Sequence, residues 1–186
     1  MLKRITGTLI AIPIVNVYGI IHRSRYLPDR RDLNRSFPGS KKGALASDLF
    51  MTEIAANSTH GIDLHTGAIH RSNLPQIRAN LDNEATLSLA KAFNVPVLIN
   101  ANVRDGSLRE SASERGIPML LYEADEALRF DEIAIRAGVR GIINVMRHLG
   151  MIANRKKRSA SSSEPYIARY SAWIRSPGSG IFRGKA

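Results

Sequence analysis

Asp63 and His65 stand two residues apart in GIDLHTGAIH, at the end of the short apolar run Gly61 to Leu64. In an extended chain that spacing points both side chains to one face, so the carboxylate can orient the imidazole. An imidazole held in this way suits a metal ligand or a proton carrier, although an isolated histidine is more often a hydrogen-bonded structural group. Glu123 closes a second apolar run, PMLLY, in the same manner. Ligands of open α/β sheets collect beyond the carboxyl ends of the strands, which is where both residues fall. In PDRRDLNRSFPGS, Asn34 and Arg35 precede a Ser-Phe-Pro-Gly turn, and a guanidinium beside an amide makes a planar fork for a carboxylate. The alternative for that stretch is a loop laced by ion pairs among Asp29, Arg30, Arg31 and Asp32. Arg78 in PQIRA and Arg109 in SLRES are further candidate anion contacts.

Such residues need elements to carry them. Apolar runs bounded by turn residues recur at Leu9 to Val15, Gly61 to Leu64, Pro96 to Ile99 and Pro118 to Tyr122, each of strand length. Gly7 to Val15 reads as a buried strand. Between the runs lie helical patterns. The segment 43–57 sets Leu45, Leu49, Phe50 and Ile54 on one stripe, and 83–93 does so with Thr86, Leu89, Ala90 and Phe93. In 131–149 the stripe is Ile135, Val139, Ile142, Met146 and Leu149. Alternation of strand and helix predicts an α/β sandwich with a largely parallel sheet. Near the end, YIARYSAWIR reads as a strand anchored by Tyr166, Tyr170 and Trp173, with no pairing partner in view.

The 186 residues suit one domain with a substantial core. The absence of cysteine excludes a disulfide scaffold and any thiolate metal site, and fits a reducing compartment such as the cytoplasm. Lys3 and Arg4 before an apolar run imitate a signal peptide, but Pro13, Asn16 and Gly19 interrupt the run, which is also too short to span a bilayer. The formal charge of +11 raises the question of nucleic acid. Most of that charge is dispersed; the one dense block, Arg155 to Arg158, lacks interleaved aromatics and runs into a serine-rich stretch, which argues against such a partner.

Taken in order, DLNRSFPG, IDLHTGAIHRSNLPQIRA and YEADEALRFDE resemble the succinylglutamate desuccinylase/aspartoacylase family of zinc-dependent deacylases, from about Arg4 to Met151. The resemblance implies a zinc carboxypeptidase-like three-layer sandwich on a mostly parallel mixed sheet, incomplete at the N-terminus and lacking most of a C-terminal β domain. It divides the chain into a partial catalytic domain (1–152), a basic, serine-rich linker (153–165) and the start of a truncated β domain (166–186). By the same resemblance His65 is a Zn2+ ligand, Asp63 orients it or a fellow ligand, Glu123 is the general base, and Asn34, Arg35 and Arg109 bind the substrate, with Arg78 added as a substrate contact from its residue type alone. The implied reaction is hydrolysis of the amide of a small N-acyl amino acid.

Two departures stand out. The family's early His-x-x-Glu, which supplies two zinc ligands, is absent: His22 is followed three residues later by Arg25. Asp125 also stands where members of that family commonly carry glycine, so that an extra carboxylate would either crowd the turn after the base or raise the pKa of Glu123 by like-charge repulsion. Catalytic zinc normally takes three protein ligands, so the expectation is impaired activity, with an inactive fragment or a basic anion-binding or nucleic-acid-binding protein as the alternative. A homo-oligomer or a complementing fragment is the expected macromolecular partner, and no membrane is.

Overall fold

A computed structural model describes residues 5–101, 105–153, 164–170, 172 and 174–180. The basic block 155–158 and Trp173 lie outside these residues. Five strands, β1 (Gly61–Thr66), β2 (Asn73–Ala79), β3 (Val97–Asn100), β4 (Met119–Asp125) and β5 (Tyr166–Ala168), form one sheet in the order β1-β4-β2-β3-β5. The pairs β1·β4, β2·β3 and β3·β5 are parallel, and β2·β4 is antiparallel. This is the mixed, mostly parallel sheet expected. Among the described residues no helix is long and apolar enough to cross a membrane.

Burial alternates along β4: Leu120, Tyr122 and Ala124 are buried while their neighbours are partly exposed. The buried set packs with Ile77, Ala79 and Leu98 against helices α3 (Glu84–Phe93) and α5 (Glu132–His148). Asn83 caps α3 by accepting the Thr86 N–H at 3.0 Å, and Asp131 caps α5 by accepting that of Ala134 at 2.7 Å. Such caps satisfy donors that a helix start leaves open. The opposite face is covered by a second cluster, Phe37, Met51, Ala55 and Leu108, which joins the segment 33–57 to helix α4 (Leu108–Glu114). The result is a sheet between two layers.

The α3 stripe is the one expected; two others are so only in part. In 43–57 the buried face is Ser47, Met51 and Ala55, while Leu45 and Leu49 are exposed. The segment is one α-helical turn, α2 (Leu45–Leu49), followed by a wider π turn (Phe50–Ile54) and a tighter 3-10 turn (Ala55–Asn57). Each change of winding rotates the stripe. In α5 the expected Ile142, Met146 and Leu149 do pack on the core, joined by Gly138, Gly141 and Val145, while Ile135 and Val139 are exposed. The stacked rings of Phe93 and Tyr122, with centroids 5.2 Å apart, leave no room for larger residues. The Tyr122 hydroxyl also donates to the Ala134 carbonyl at 2.7 Å.

The strand expected at Gly7 to Val15 does not form: these residues are irregular, with Leu9 50% exposed. A strand needs a neighbour for its backbone groups, and none of the five takes that place; Pro13 also removes a donor. At the other end, β5 is paired rather than alone, with the Tyr166 N–H donating to the Pro96 carbonyl at 2.9 Å. Three elements escaped the periodicity argument: α1 (Val17–His22), α4 and β2. Pro75 and a register irregularity between Asn73 and Gln76 disguise β2.

A Cβ at Gly141 would lie 2.0 Å from Phe93 Cε1, and Phe93 is fully buried. Gly141→Ala is expected to destabilise the fold by about 1–3 kcal/mol through overpacking. Urea denaturation reads this directly, and an unshifted midpoint would contradict the helix-to-ring packing.

Candidate active site

The sheet register assembles the site from distant segments. His65 pairs with Glu123, and Glu123 pairs on its other side with Gln76. One rung below, Asp63 pairs with Leu121 and Leu121 with Arg78. Registered neighbours share a face, and residues two apart along a strand do too. Asp63, His65, Glu123, Gln76 and Arg78 therefore occupy one surface of the sheet, opposite the core of α3 and α5.

Contacts sharpen this grouping. His65 Nε2 donates to Asp63 Oδ2 at 2.8 Å, which leaves Nδ1 as the ring nitrogen open to another group. Burial alone pulls the His65 imidazole down, but the hydrogen bond and charge of Asp63, with the charge of Glu123, outweigh it. The ring therefore titrates above its ordinary value, with Arg25 acting against the rise. Glu123 Oε1 accepts from Asn73 Nδ2 at 2.6 Å.

The loop between His65 and Asn73 is tied at each point to the end of β4. The Gly67 N–H donates to the Asp125 carbonyl at 3.0 Å, and the His70 N–H to Glu126 Oε1 at 2.8 Å. Glu126 also pairs with Arg129 at 3.0 Å. A side chain at Gly67 would meet the carbonyls of Arg71 and Asp125 at 2.2 and 2.6 Å. Asp125 has a φ of 51°. That left-handed conformation costs about 1 kcal/mol or more for most residues other than glycine.

Asn34 and Arg35 sit in a 3-10 turn (Leu33–Arg35) whose Asp32 cap accepts from the Asn34 N–H at 3.0 Å. Asn34 Oδ1 accepts from the Leu108 N–H at 3.0 Å, and the Phe37 N–H donates to the Gly106 carbonyl at 2.9 Å. This strap brings the Asn34 turn to the start of α4, which carries the buried Arg109. Arg35 is exposed and its guanidinium donates to the Asn34 carbonyl. The fork expected from the two side chains is thus partly spent on backbone. Among the described residues no hydrogen bond or ion pair joins Asn34 or Arg35 to His65 or Glu123. Of the ion pairs foreseen in this stretch, Arg31–Asp29 forms at 2.6 Å, while Asp32 pairs instead with Arg25 at 2.8 Å.

Sequence reading passed over Arg25, Asn73 and Gln76. Asn73 and Gln76 were hidden with β2. Arg25 stands three residues after His22, and nothing local signals that its charge reaches His65.

The donor set does not fit a three-ligand zinc site. Among the described residues no group of three His, Asp or Glu is arranged to hold a metal ion, and the site face offers a single imidazole already bonded to Asp63. Purified chain is therefore expected to carry well below one zinc per molecule by elemental analysis; one tightly held zinc per chain would overturn that expectation. Without metal, the His65 ring should titrate above about 6.5 by NMR, and Asp63→Asn should lower the midpoint. Because the folded value is raised, this group stabilises the fold most at acidic pH, below its unfolded value, and the gain is lost as pH rises through the folded value. A midpoint unmoved by Asp63→Asn would contradict the pairing.

The catalytic domain profile of succinylglutamate desuccinylase/aspartoacylase proteins matches residues 2–149. No curated protein matches the chain. Among solved structures, a succinylglutamate desuccinylase/aspartoacylase from Rhodobacter sphaeroides is 27% identical over 84% of this chain and 49% of its own, with a TM-score of 0.70. The product-bound ectoine utilization protein EutE (DoeB) from Ruegeria pomeroyi is 23% identical over 90% of this chain and 53% of its own, with a TM-score of 0.80. The chain thus spans about half the length of these structures. With its sheet order, its Asp63–His65 pair beside Glu123 and a profile match over most of its length, the chain belongs to the succinylglutamate desuccinylase/aspartoacylase family.

Proposed function

We propose that the chain carries the proton-transfer and substrate-holding part of a deacylase that hydrolyses the amide of a small N-acyl amino acid to a carboxylate and an amine. The observation that carries this reading is the pairing of His65 with Glu123 on adjacent parallel strands. Glu123 acts as general base: Asn73 occupies Oε1, and Oε2 takes a proton from the attacking water and returns it to the departing amine. Asp63 holds the His65 ring. Arg78, one rung from Glu123, and Asn34, Arg35 and Arg109, on the strap to α4, supply donors for the substrate carboxylate. His65 would furnish one ligand for a zinc ion, which would polarise the carbonyl and acidify water if other ligands completed its shell. Homo-oligomerisation or a complementing fragment, and a cytoplasmic setting, belong to the same proposal.

The single-imidazole donor set favours a second reading, in which the site binds an acyl amino acid without turning it over. Amine release from an N-acetyl amino acid, measured with zinc added, separates the two. Slow turnover that falls by about a hundredfold in Glu123→Gln is the expected outcome. Equal rates for the two proteins would remove Glu123 from the base role, and saturable binding with no amine release would leave the second reading.

A further inference from the structure

Aromatic and basic side chains alternate at every fourth position from Tyr18 to Arg30, and folding brings them around one cleft. Helix α1 and the turn after it border an open, solvent-facing cleft of about 730 Å³ lined by Tyr18, His22, Tyr26 and Arg30, with Ser24 and Leu27 between them. Pockets of this size commonly hold small molecules. His65 and Glu123 do not line it, although Arg25, between Ser24 and Tyr26, carries its charge toward His65.

The cleft is built by close chain packing. Asn16 caps α1 by accepting the Gly19 N–H at 2.8 Å, and Arg23, at a φ of 51°, turns the chain back. The Ser24 N–H then donates to the Gly19 carbonyl at 2.8 Å. Glycine is required there, because a Cβ would sit 2.5 Å from the Ser24 carbonyl oxygen. Tyr18 and His22, four residues apart on α1, pack their rings at 4.1 Å and 35°. Tyr26 returns across the opening and is half exposed, its backbone bridged to Asp32. Arg30 completes the wall at a φ of 65°, its N–H donating to the Leu27 carbonyl at 2.9 Å.

Charge is distributed unevenly over this hairpin. Arg25 pairs with Asp32 and Arg31 with Asp29. Arg23 and Arg30 have no carboxylate partner among the described residues, and both stand at left-handed positions that proteins tend to keep at ligand clamps. An uncompensated guanidinium beside three π faces fits a flat ring linked to a phosphate. Phosphate takes guanidinium through paired hydrogen bonds, and rings stack on tyrosine with little regard to base identity. The chain's formal charge of +11 adds a general attraction for such an anion.

We infer that this cleft binds a planar base carrying a phosphate, either as a free nucleotide or as one residue of a single strand. The inference stands independently of the deacylase reading. The test uses the full chain, with AMP and a fluorescein-labelled deoxyadenosine octamer as probes, followed by calorimetry and anisotropy at several salt concentrations. AMP should bind saturably, with adenosine and inorganic phosphate each at least tenfold weaker. Tyr26→Ala and Arg30→Ala should each weaken binding about tenfold. Tyr26→Phe, which keeps the stacking face, should retain it and serves as the folding control. An octamer that binds more tightly than AMP, with a steeper salt dependence, identifies the strand as the source; equal affinities identify the free nucleotide. No saturable binding of either probe, inorganic phosphate as tight as AMP, or indifference to both alanine variants would overturn the proposal.

Discussion

The register of β1 on β4 is the constraint from which the site follows. Leu120, Tyr122 and Ala124 must face the α3 and α5 layer, because only there do they leave water. A slip of one residue would turn these three outward and send Leu121 and Glu123 into the core, at a cost no local preference could offset. Burial on one face thereby dictates chemistry on the other. With β4 held in this way, the parallel pairing sets His65 against Glu123 and Asp63 one rung below.

The end of β4 is also a clamp. Its side chains Glu123 and Glu126, and its carbonyl at Asp125, each hold one point of the loop that leads from His65 to β2. The arrangement fixes Asn73 where it can occupy one oxygen of Glu123. It requires an aspartate to adopt a left-handed backbone at 125, while neighbouring Glu126 is kept buried by its bonds to His70 and Arg129. The acidic run YEADE thus holds the proposed base at its first carboxylate, a backbone tie at Asp125 and a side-chain tie at Glu126.

The α5 face makes a related point about size. Two glycines, Gly138 and Gly141, rather than Ile135 and Val139, approach Tyr122 and Phe93, because those rings already fill the interface with aromatic volume. Close-packed interiors allow such exchanges between layers, and volume rather than hydrophobicity then decides which residue faces inward. The apolar side chains displaced from the interface, Ile135 and Val139, remain on the solvent side of the helix.

Local chemistry was legible in the sequence wherever the chain needs nothing beyond itself. The α3 stripe of Thr86, Leu89, Ala90 and Phe93, the spacing of Asp63 and His65, and the placement of Glu123 at a strand end were read from periodicity and turn residues alone. The family motifs were equally visible. Tertiary structure decided the rest. It left Gly7 to Val15 without a strand neighbour, rotated the 43–57 stripe through three kinds of turn, paired β5 with β3, and brought Asn73 to Glu123 and the charge of Arg25 to bear on His65. The division has a physical cause: periodicity and capping depend on residues within one helical turn or one pleat, whereas register, burial and charge depend on atoms that only folding brings within reach.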